Sequence, residues 1–131
     1  MEEIDLYLEK IRNNVLESKD IDLIIKMIEE DTKKGHIKSE KDDIQWFEVY
    51  KFGLEELELA LKGGSNMKVG DWRQNLDYSK VRSFVDEMEE KSLITNVSWH
   101  GAVIFDIVNP EVYRIHLCNK IKEHICKLYG L

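Results

Sequence analysis

Within residues 54–113, the spacing of apolar side chains changes from a helical period to alternation. A first helical pattern stops at a Gly-Gly pair, a shorter one spans 68–76, and a third runs over 79–92. Two runs rich in β-branched and aromatic residues follow, 94–99 and 102–108. Helices and strands bury residues at different spacings. This order therefore predicts helix, short helix, helix and a two-stranded β-hairpin.

Two amphipathic segments precede this region and one follows it, which gives six helices in all. Asp20, Ser39, Asp77 and Asn109 are the expected helix caps, and Gly53 predicts a bend or a close approach inside the third helix. The positions expected to face the core on the first three helices and on the last are Ile4, Leu8, Ile11, Val15, Ile21, Ile24, Ile25, Ile28, Ile44, Phe47, Leu54, Leu57, Leu61, Ile115, Cys118, Ile121 or Lys122, Ile125 and Leu128.

Length and charge set further limits. A chain of 131 residues is long enough for one domain with a real core. The net charge of −7 arises before residue 65, where 17 Asp and Glu outnumber 10 Lys and Arg, whereas the rest is neutral. No apolar run approaches the roughly 20 residues that span a bilayer, so no membrane partner is expected. Cys118 and Cys126 would lie roughly 12 Å apart on one helix, too far for a disulfide, which favours a reducing cytoplasmic setting.

The segment from about residue 44 to 110 resembles the winged helix-turn-helix DNA-binding proteins, in particular bacterial regulators. The residues that carry the likeness are Leu57, Leu61, Val69, Leu76, Ser79, Val81, Val85, Met88, Leu93 and Ile94. The end of the second strand, FDIVNPEVY, is also similar to plasmid replication proteins of low-GC bacteria. Two departures are Trp72, where the family often has a small residue, and a helix, SKVRSFVDEMEEK, less basic than usual.

The resemblance implies a mainly α fold with one small β-hairpin, in which a winged helix-turn-helix lies carboxy-terminal to an acidic helical region. Residues 1–38 would form an acidic amphipathic extension, and residues 39–131 the winged-helix domain with its terminal packing helix, the two together making one compact unit. Amphipathic helices at both ends of the chain favour a homodimer formed through those outer helices. The alternative is that they simply complete a single core.

A helix fits the DNA major groove and reads base edges with its first residues. With Val81 and Val85 turned inward, the open face would carry Ser79, Lys80, Arg82 and Ser83. Arg82 would fork onto a guanine, while Lys80 and Ser79 would meet phosphate or sugar. Trp99 and His100, at the tip of the wing, would lie along the minor groove or the backbone. The alternative is that Lys80 and Arg82 are solvated charges paired with Asp77, Asp86 or Glu87.

The expected function is therefore a small cytoplasmic regulator that binds double-stranded DNA, in transcription or in the replication of a mobile element. The alternative is a winged helix used only for protein interaction, such as a phage- or plasmid-encoded inhibitor or adaptor whose acidic face engages a basic partner. The sequence contains no phosphate loop, nucleophile elbow or metal-binding motif, so neither catalysis nor a cofactor is expected. His116, Cys118, His124 and Cys126 share one helix, but their spacing favours core and surface positions over a zinc site.

Overall fold

A computed structural model describes residues 2–63, 76–101 and 103–131. Those residues form five helices and one antiparallel hairpin, which confirms the prediction of a mainly helical fold. The elements are α1 (Glu2–Arg12), α2 (Ser18–Lys33), α3 (Lys41–Leu61), α4 (Tyr78–Glu90), β1 (Ile94–Trp99), β2 (Val103–Ile107) and α5 (Pro110–Tyr129). The short helix predicted over 68–76 lies, apart from its last residue, outside this description. None of the five described helices combines the length and apolarity that crossing a membrane requires.

The helices α2 and α3 begin with the same reciprocal capping arrangement. Glu17 caps α2 and Glu40 caps α3, and each accepts a bond from the backbone three residues on. In return, Asp20 accepts from the backbone N–H of Glu17 at 2.9 Å, and Asp43 from that of Glu40 at 2.8 Å. The expectation that Asp20 and Ser39 are the caps is therefore wrong, because Asp20 acts from inside the first turn and the α3 cap lies one residue further on.

The caps of the other two helices were predicted correctly. The Asp77 side chain accepts from the backbone N–H of Lys80 at 3.1 Å and fixes the start of α4. Asn109 accepts from the first two free N–H groups of α5 at 3.0 and 3.1 Å, and Pro110 occupies the first helical position. Proline suits that position because its missing N–H would have no partner there.

One continuous core joins the amino-terminal helices to the rest of the chain. All four isoleucines expected to face inward on α2 are buried, and they pack in the same cluster as the side chains of α3, α4 and α5. Three expectations are wrong: Val15, Leu61 and Ile115 are 54%, 57% and 43% exposed. Leu16 takes the place expected for Val15. On α5, Cys118, Ile121 and Ile125 are buried as expected, and Tyr113 and Leu117 are buried where Ile115 was expected.

Gly53 of α3 lies directly against side chains of α4 and α5. A Cβ atom at this position would lie 2.8 Å from Cζ of Phe84 and 3.0 Å from Cδ2 of Leu117. The hydroxyl of Tyr113, on α5, donates to the Gly53 carbonyl oxygen at 2.9 Å. The expectation of a close approach at Gly53 is thus confirmed, and this contact sets how near α4 lies to the other two helices.

The hairpin contains a β-bulge that the alternating sequence does not reveal. Ile94 pairs with Ile107, whereas Trp99 pairs with Val103, so β1 holds one residue more than β2 between these pairs. Asn96 adopts the left-handed conformation, with φ of 56°, as the first residue of such bulges can. Paired residues share a face of the sheet, and Val103 is buried. The bulge therefore returns Trp99 to the inner face that Ile94 occupies.

Candidate nucleic-acid interface

Helix α4 presents one buried and one exposed face. Val81, Phe84, Val85 and Met88 are buried, which leaves the opposite side of the helix open. Three of the residues expected on that open face are indeed exposed: Ser79, Arg82 and Ser83. The amino-terminal half of this face lies beside the tip of the hairpin, so the helix and the hairpin form one continuous surface.

Arg82 and Trp99 meet at the centre of this surface. The Arg82 guanidinium carbon lies 4.6 Å from the centroid of the Trp99 ring. Tyr78 packs edge-on against the same indole, with ring centroids 5.7 Å apart, and its hydroxyl oxygen lies 3.4 Å from Nη1 of Arg82. Asp86 lies 3.6 Å from the Arg82 Nε. These four side chains form what we call the Arg82 cluster.

The Arg82 cluster fixes the guanidinium without enclosing it. About half of the Arg82 side chain, 48%, stays exposed. The hydrogen bond to the Tyr78 hydroxyl raises the pKa of Arg82, as does the charge of Asp86. A guanidinium stays protonated in proteins, so this positive charge is permanent. A guanidinium has five N–H donors, more than its contacts to Tyr78 and Asp86 use. The remaining donors can therefore reach an acceptor outside the protein.

Lys80 does not lie on the open face, contrary to the expectation from sequence. Its ammonium is 2.7 Å from the Asp42 carboxylate and 3.7 Å from that of Asp77, and it lies 6.0 Å from the centre of the Trp46 ring. Only 13% of the Lys80 side chain is exposed. The hydrogen bond to Asp42 raises the pKa of Lys80. Lys80 therefore links the start of α4 to the start of α3. The alternative that Lys80 is paired with a carboxylate is correct for Asp77, although Asp42 is nearer.

The other candidate residues occupy the edges of the surface. The Ser79 hydroxyl donates to the Asp77 carboxylate at 2.6 Å, and this bond, with the backbone bond from Lys80, lowers the pKa of Asp77. Ser79 is thus oriented by the cap, yet it remains exposed. His100 is exposed at the hairpin turn, next to Gly101, whose φ of 73° makes that turn possible. Among the candidates, Arg82 and Trp99 are the pair that the fold brings into direct contact.

Tyr78 is the member of the surface that sequence reasoning missed. The sequence pattern does not single it out, yet 65% of it is exposed, an unusual fraction for an aromatic side chain. Its contact with Trp99 joins residues 21 positions apart in the chain, so no local spacing could reveal it. One signal was present: an aromatic residue in the first turn of a helix whose apolar stripe does not include it.

Glu87 anchors the back of α4 to α5. Its carboxylate lies 2.9 Å from the Lys120 ammonium and 3.1 Å from Nε2 of His116. Burial raises the pKa of Glu87, but the bonds from Lys120 and His116 outweigh it, so the pKa lies below its ordinary value. Glu87 is therefore neutralised within the fold. It adds less repulsion toward a phosphate backbone than the sequence suggests.

The side chains considered for a metal site have other partners. His116 bonds Glu87, and His124 links two groups of α3, with Nε2 2.8 Å from Asp43 and Nδ1 2.9 Å from the Tyr50 hydroxyl. Cys118 is buried in the core, where burial raises the pKa of its thiol. Over residues 2–63, 76–101 and 103–131, no three His, Cys, Asp or Glu side chains converge as metal ligands would.

Comparisons of the chain with protein-family models, curated protein sequences and solved structures give no match.

Proposed function

We propose that the protein is a small regulator that binds double-stranded DNA, with α4 in the major groove and the hairpin as its wing. The observation that supports this most is the Arg82 cluster. A permanently charged guanidinium stands half-exposed in the first turns of a helix, stacked on the ring of the adjacent strand. Arginine bound bidentately to guanine is the commonest specific contact in the major groove.

Ser79 and Ser83 lie on the same face as Arg82, where short hydroxyl side chains can approach phosphate or base edges. Trp99 and His100 at the wing tip would contact the neighbouring backbone or minor groove. Lys80 does not belong to this set, because its ammonium is already paired with Asp42. In this proposal Lys80 orients α4, and Arg82 reads the base.

The charge distribution is compatible with this assignment. The excess of Asp and Glu lies before residue 65, whereas the part of the chain that contains α4, the hairpin and α5 is neutral overall. On α4 itself, Glu87 is paired with Lys120 and His116, and Asp86 forms an ion pair with Arg82. A local positive centre at Arg82 is what a groove-facing surface needs, whatever the net charge of the whole chain.

A second candidate is an interaction module that binds a basic protein rather than DNA. Asp86, Glu89 and Glu90 are exposed on α4, next to the aromatic side chains of Tyr78 and Trp99. Tyr, Trp and Arg are the residues that most often dominate the energy of protein interfaces. The same surface would then meet a cationic partner, and its affinity would not depend on DNA sequence.

The test is selection of bound fragments from a genomic library of double-stranded DNA, followed by titration of the best site at several salt concentrations. We expect a sharp motif and an affinity that falls steeply as salt rises. Arg82→Ala should weaken the best site roughly 10- to 100-fold and relax the preference at one base pair. Arg12→Ala, at an exposed position at the end of α1, is the matched control and should bind as wild type.

Two results would contradict the proposal. One is a library without enrichment above background. The other is a folded Arg82→Ala protein that binds the best site with wild-type affinity. Either result would favour the second candidate, the protein-interaction module. Capture of a basic protein partner with a tagged form of this protein would test that candidate.

We further propose that the protein acts as a homodimer. Leu61, Ile115 and Pro110 line an open groove of about 300 Å³, whose rim carries Glu111 and Arg114. Leu61 and Ile115 are two of the three side chains that were expected to be buried and are exposed. A second copy that covers this groove would bury both side chains.

A further inference from the structure

We propose that Asn96 is a positioning residue: its left-handed bulge turns Trp99 toward α4, where the indole holds the Arg82 guanidinium in the orientation in which it reads DNA. The inference rests on the proposed function only in its last clause. Its structural part, that the wing braces Arg82, stands or fails without DNA.

Ile94 and Trp99 of β1 share a face of the hairpin although an odd number of positions separates them. Successive side chains of a strand point to opposite faces, so residues five apart lie on opposite faces of a regular strand. Ile94 and Trp99 are five apart, yet both lie on the inner face, because Ile94 pairs with Ile107 and Trp99 with buried Val103. One extra residue is needed in between. Without the bulge, Trp99 would point away from α4 and Ser98 would take its place.

Asn96 is the residue whose backbone conformation makes the bulge possible. Asn96 has φ of 56° and is the residue of β1 in the left-handed region. Its side-chain amide donates to the carboxylate of Asp106, on β2, at 2.9 Å. Asn and Gly tolerate the left-handed region, whereas a β-branched residue there is strongly disfavoured. Backbone conformation and cross-strand bond thus both favour the bulge at this position.

The bulge affects Arg82, the residue proposed to contact a base, through Trp99. Trp99 contacts both Arg82 and Tyr78 of α4, and it packs against the core through the rest of its ring. A long arginine side chain loses rotamer freedom when it binds a base. A guanidinium that is already stacked on a fixed indole has lost part of that freedom beforehand, so less affinity is spent on ordering it.

The experiment measures Arg82 directly, in the free full-length protein. The chain has four arginines, so a ¹⁵N spectrum of their side-chain Nε–Hε groups is simple, and Arg82→Lys identifies the signal. In the wild-type protein we expect the Arg82 signal to be shifted by the ring current of Trp99. Trp99→Leu should return it to the ordinary arginine position.

The decisive comparison is Asn96→Gly against Asn96→Val. Both variants lose the bond to Asp106, but only glycine accepts a positive φ without strain. We expect Asn96→Gly to keep the shifted Arg82 signal and Asn96→Val to lose it. An unshifted signal in the wild-type protein, or an equal effect of the two variants, would overturn the inference. If Asn96→Val does not fold, Asn96→Ala provides the same contrast with less strain.

DNA titrations separate this inference from the proposed function. If the DNA proposal holds, Trp99→Leu and Asn96→Val should weaken the best site roughly 3- to 10-fold, whereas Asn96→Gly should bind close to wild type. Loss of the shifted signal without any loss of affinity would overturn the positioning role. A shifted Arg82 signal in a protein that binds no DNA would retain the brace and reject the DNA reader.

Discussion

Gly53 of α3 leaves room for the ring of Phe84 on α4, because a Cβ atom on residue 53 would lie 2.8 Å from Phe84 Cζ. Both neighbours of that missing atom, Phe84 and Leu117, are buried core side chains that have little freedom to move aside. The absence of a side chain at one position of α3 therefore determines how closely the proposed DNA-reading helix packs onto the rest of the fold.

The first prediction concerns this contact. In a helix interior, Gly→Ala ordinarily stabilises a protein by about 1 kcal/mol. At Gly53, overpacking should cost about 1–3 kcal/mol and outweigh that gain, so Gly53→Ala should lower the free energy of unfolding. The control is Ala60→Gly, at an exposed position of the same helix. It should also destabilise, because at that position only the lower helix propensity of glycine acts. Urea unfolding measures both, and a Gly53→Ala protein more stable than wild type would contradict the packing described here.

A second prediction concerns Lys80, which is paired rather than free. Lys80→Ala should lower the midpoint of thermal unfolding, because it leaves Asp42 and Asp77 without the ammonium between them. Arg82→Ala, on the exposed face, should leave the midpoint close to wild type. Calorimetry of the two variants makes the comparison. Equal midpoints for Lys80→Ala and the wild type would mean that Lys80 is a surface charge after all.

A third prediction follows from Asp43. Burial raises the pKa of this carboxyl group, but the Glu40 backbone bond and the His124 side chain outweigh burial and place the pKa below its ordinary value. The carboxylate therefore contributes its stability in full above the ordinary pKa of Asp, about 3.9, and that contribution is lost as the pH falls through the lowered pKa of the folded state. Between pH 7 and pH 3, the free energy of unfolding should decline.

Asp43→Asn tests this assignment. It should cost about 1–3 kcal/mol at pH 7, because charge-assisted hydrogen bonds are lost, and it should flatten the decline in acid. Asp5→Asn, at an exposed position of α1, should leave the pH profile unchanged. A wild-type slope in the Asp43→Asn protein would show that other carboxylates account for the acid sensitivity.

The fourth prediction concerns oligomeric state. If a second copy covers the groove at Leu61 and Ile115, Ile115→Lys should shift the protein to monomer without lowering its unfolding midpoint. Leu23→Lys changes an equally exposed apolar residue that does not line the groove. It should leave the mass unchanged. Light scattering coupled to size-exclusion chromatography measures the mass, and a monomeric wild type at micromolar concentration would refute the dimer.

Local signals were sufficient for much of the fold. The apolar stripe of α2 and the caps at Asp77 and Asn109 depend on residues within a few positions of one another, so a single sequence contains them. The same holds for Gly53, since glycine inside a long helix is costly unless another element needs the space. On α5 the predicted inward positions Cys118, Ile121 and Ile125 are correct, whereas Ile115 is exposed. This helix packs against both α1 and α3, so its buried residues do not form one narrow stripe.

The candidate site was predicted less completely, since its contacts join distant parts of the chain. The Lys80 ammonium turns toward Asp42, which lies in the first turn of a helix 38 residues earlier. Tyr78 contacts Trp99 on β1. The exposure of Arg82, in contrast, follows from the inward face of α4 alone. Helical geometry predicts which side of α4 is open, but which charges remain free on it depends on tertiary contacts.

The bulge at Asn96 also affects how this chain aligns with a related sequence. A relative that lacks the extra residue in its first hairpin strand, but keeps an aromatic brace, must carry that aromatic one position nearer to its counterpart of Ile94. In an ungapped alignment, the two aromatic residues would then occupy different columns and look like an unrelated loss and gain. A one-residue gap next to Asn96 that brings a tryptophan or tyrosine into the column of Trp99 would mark an ancestry that identity scores overlook.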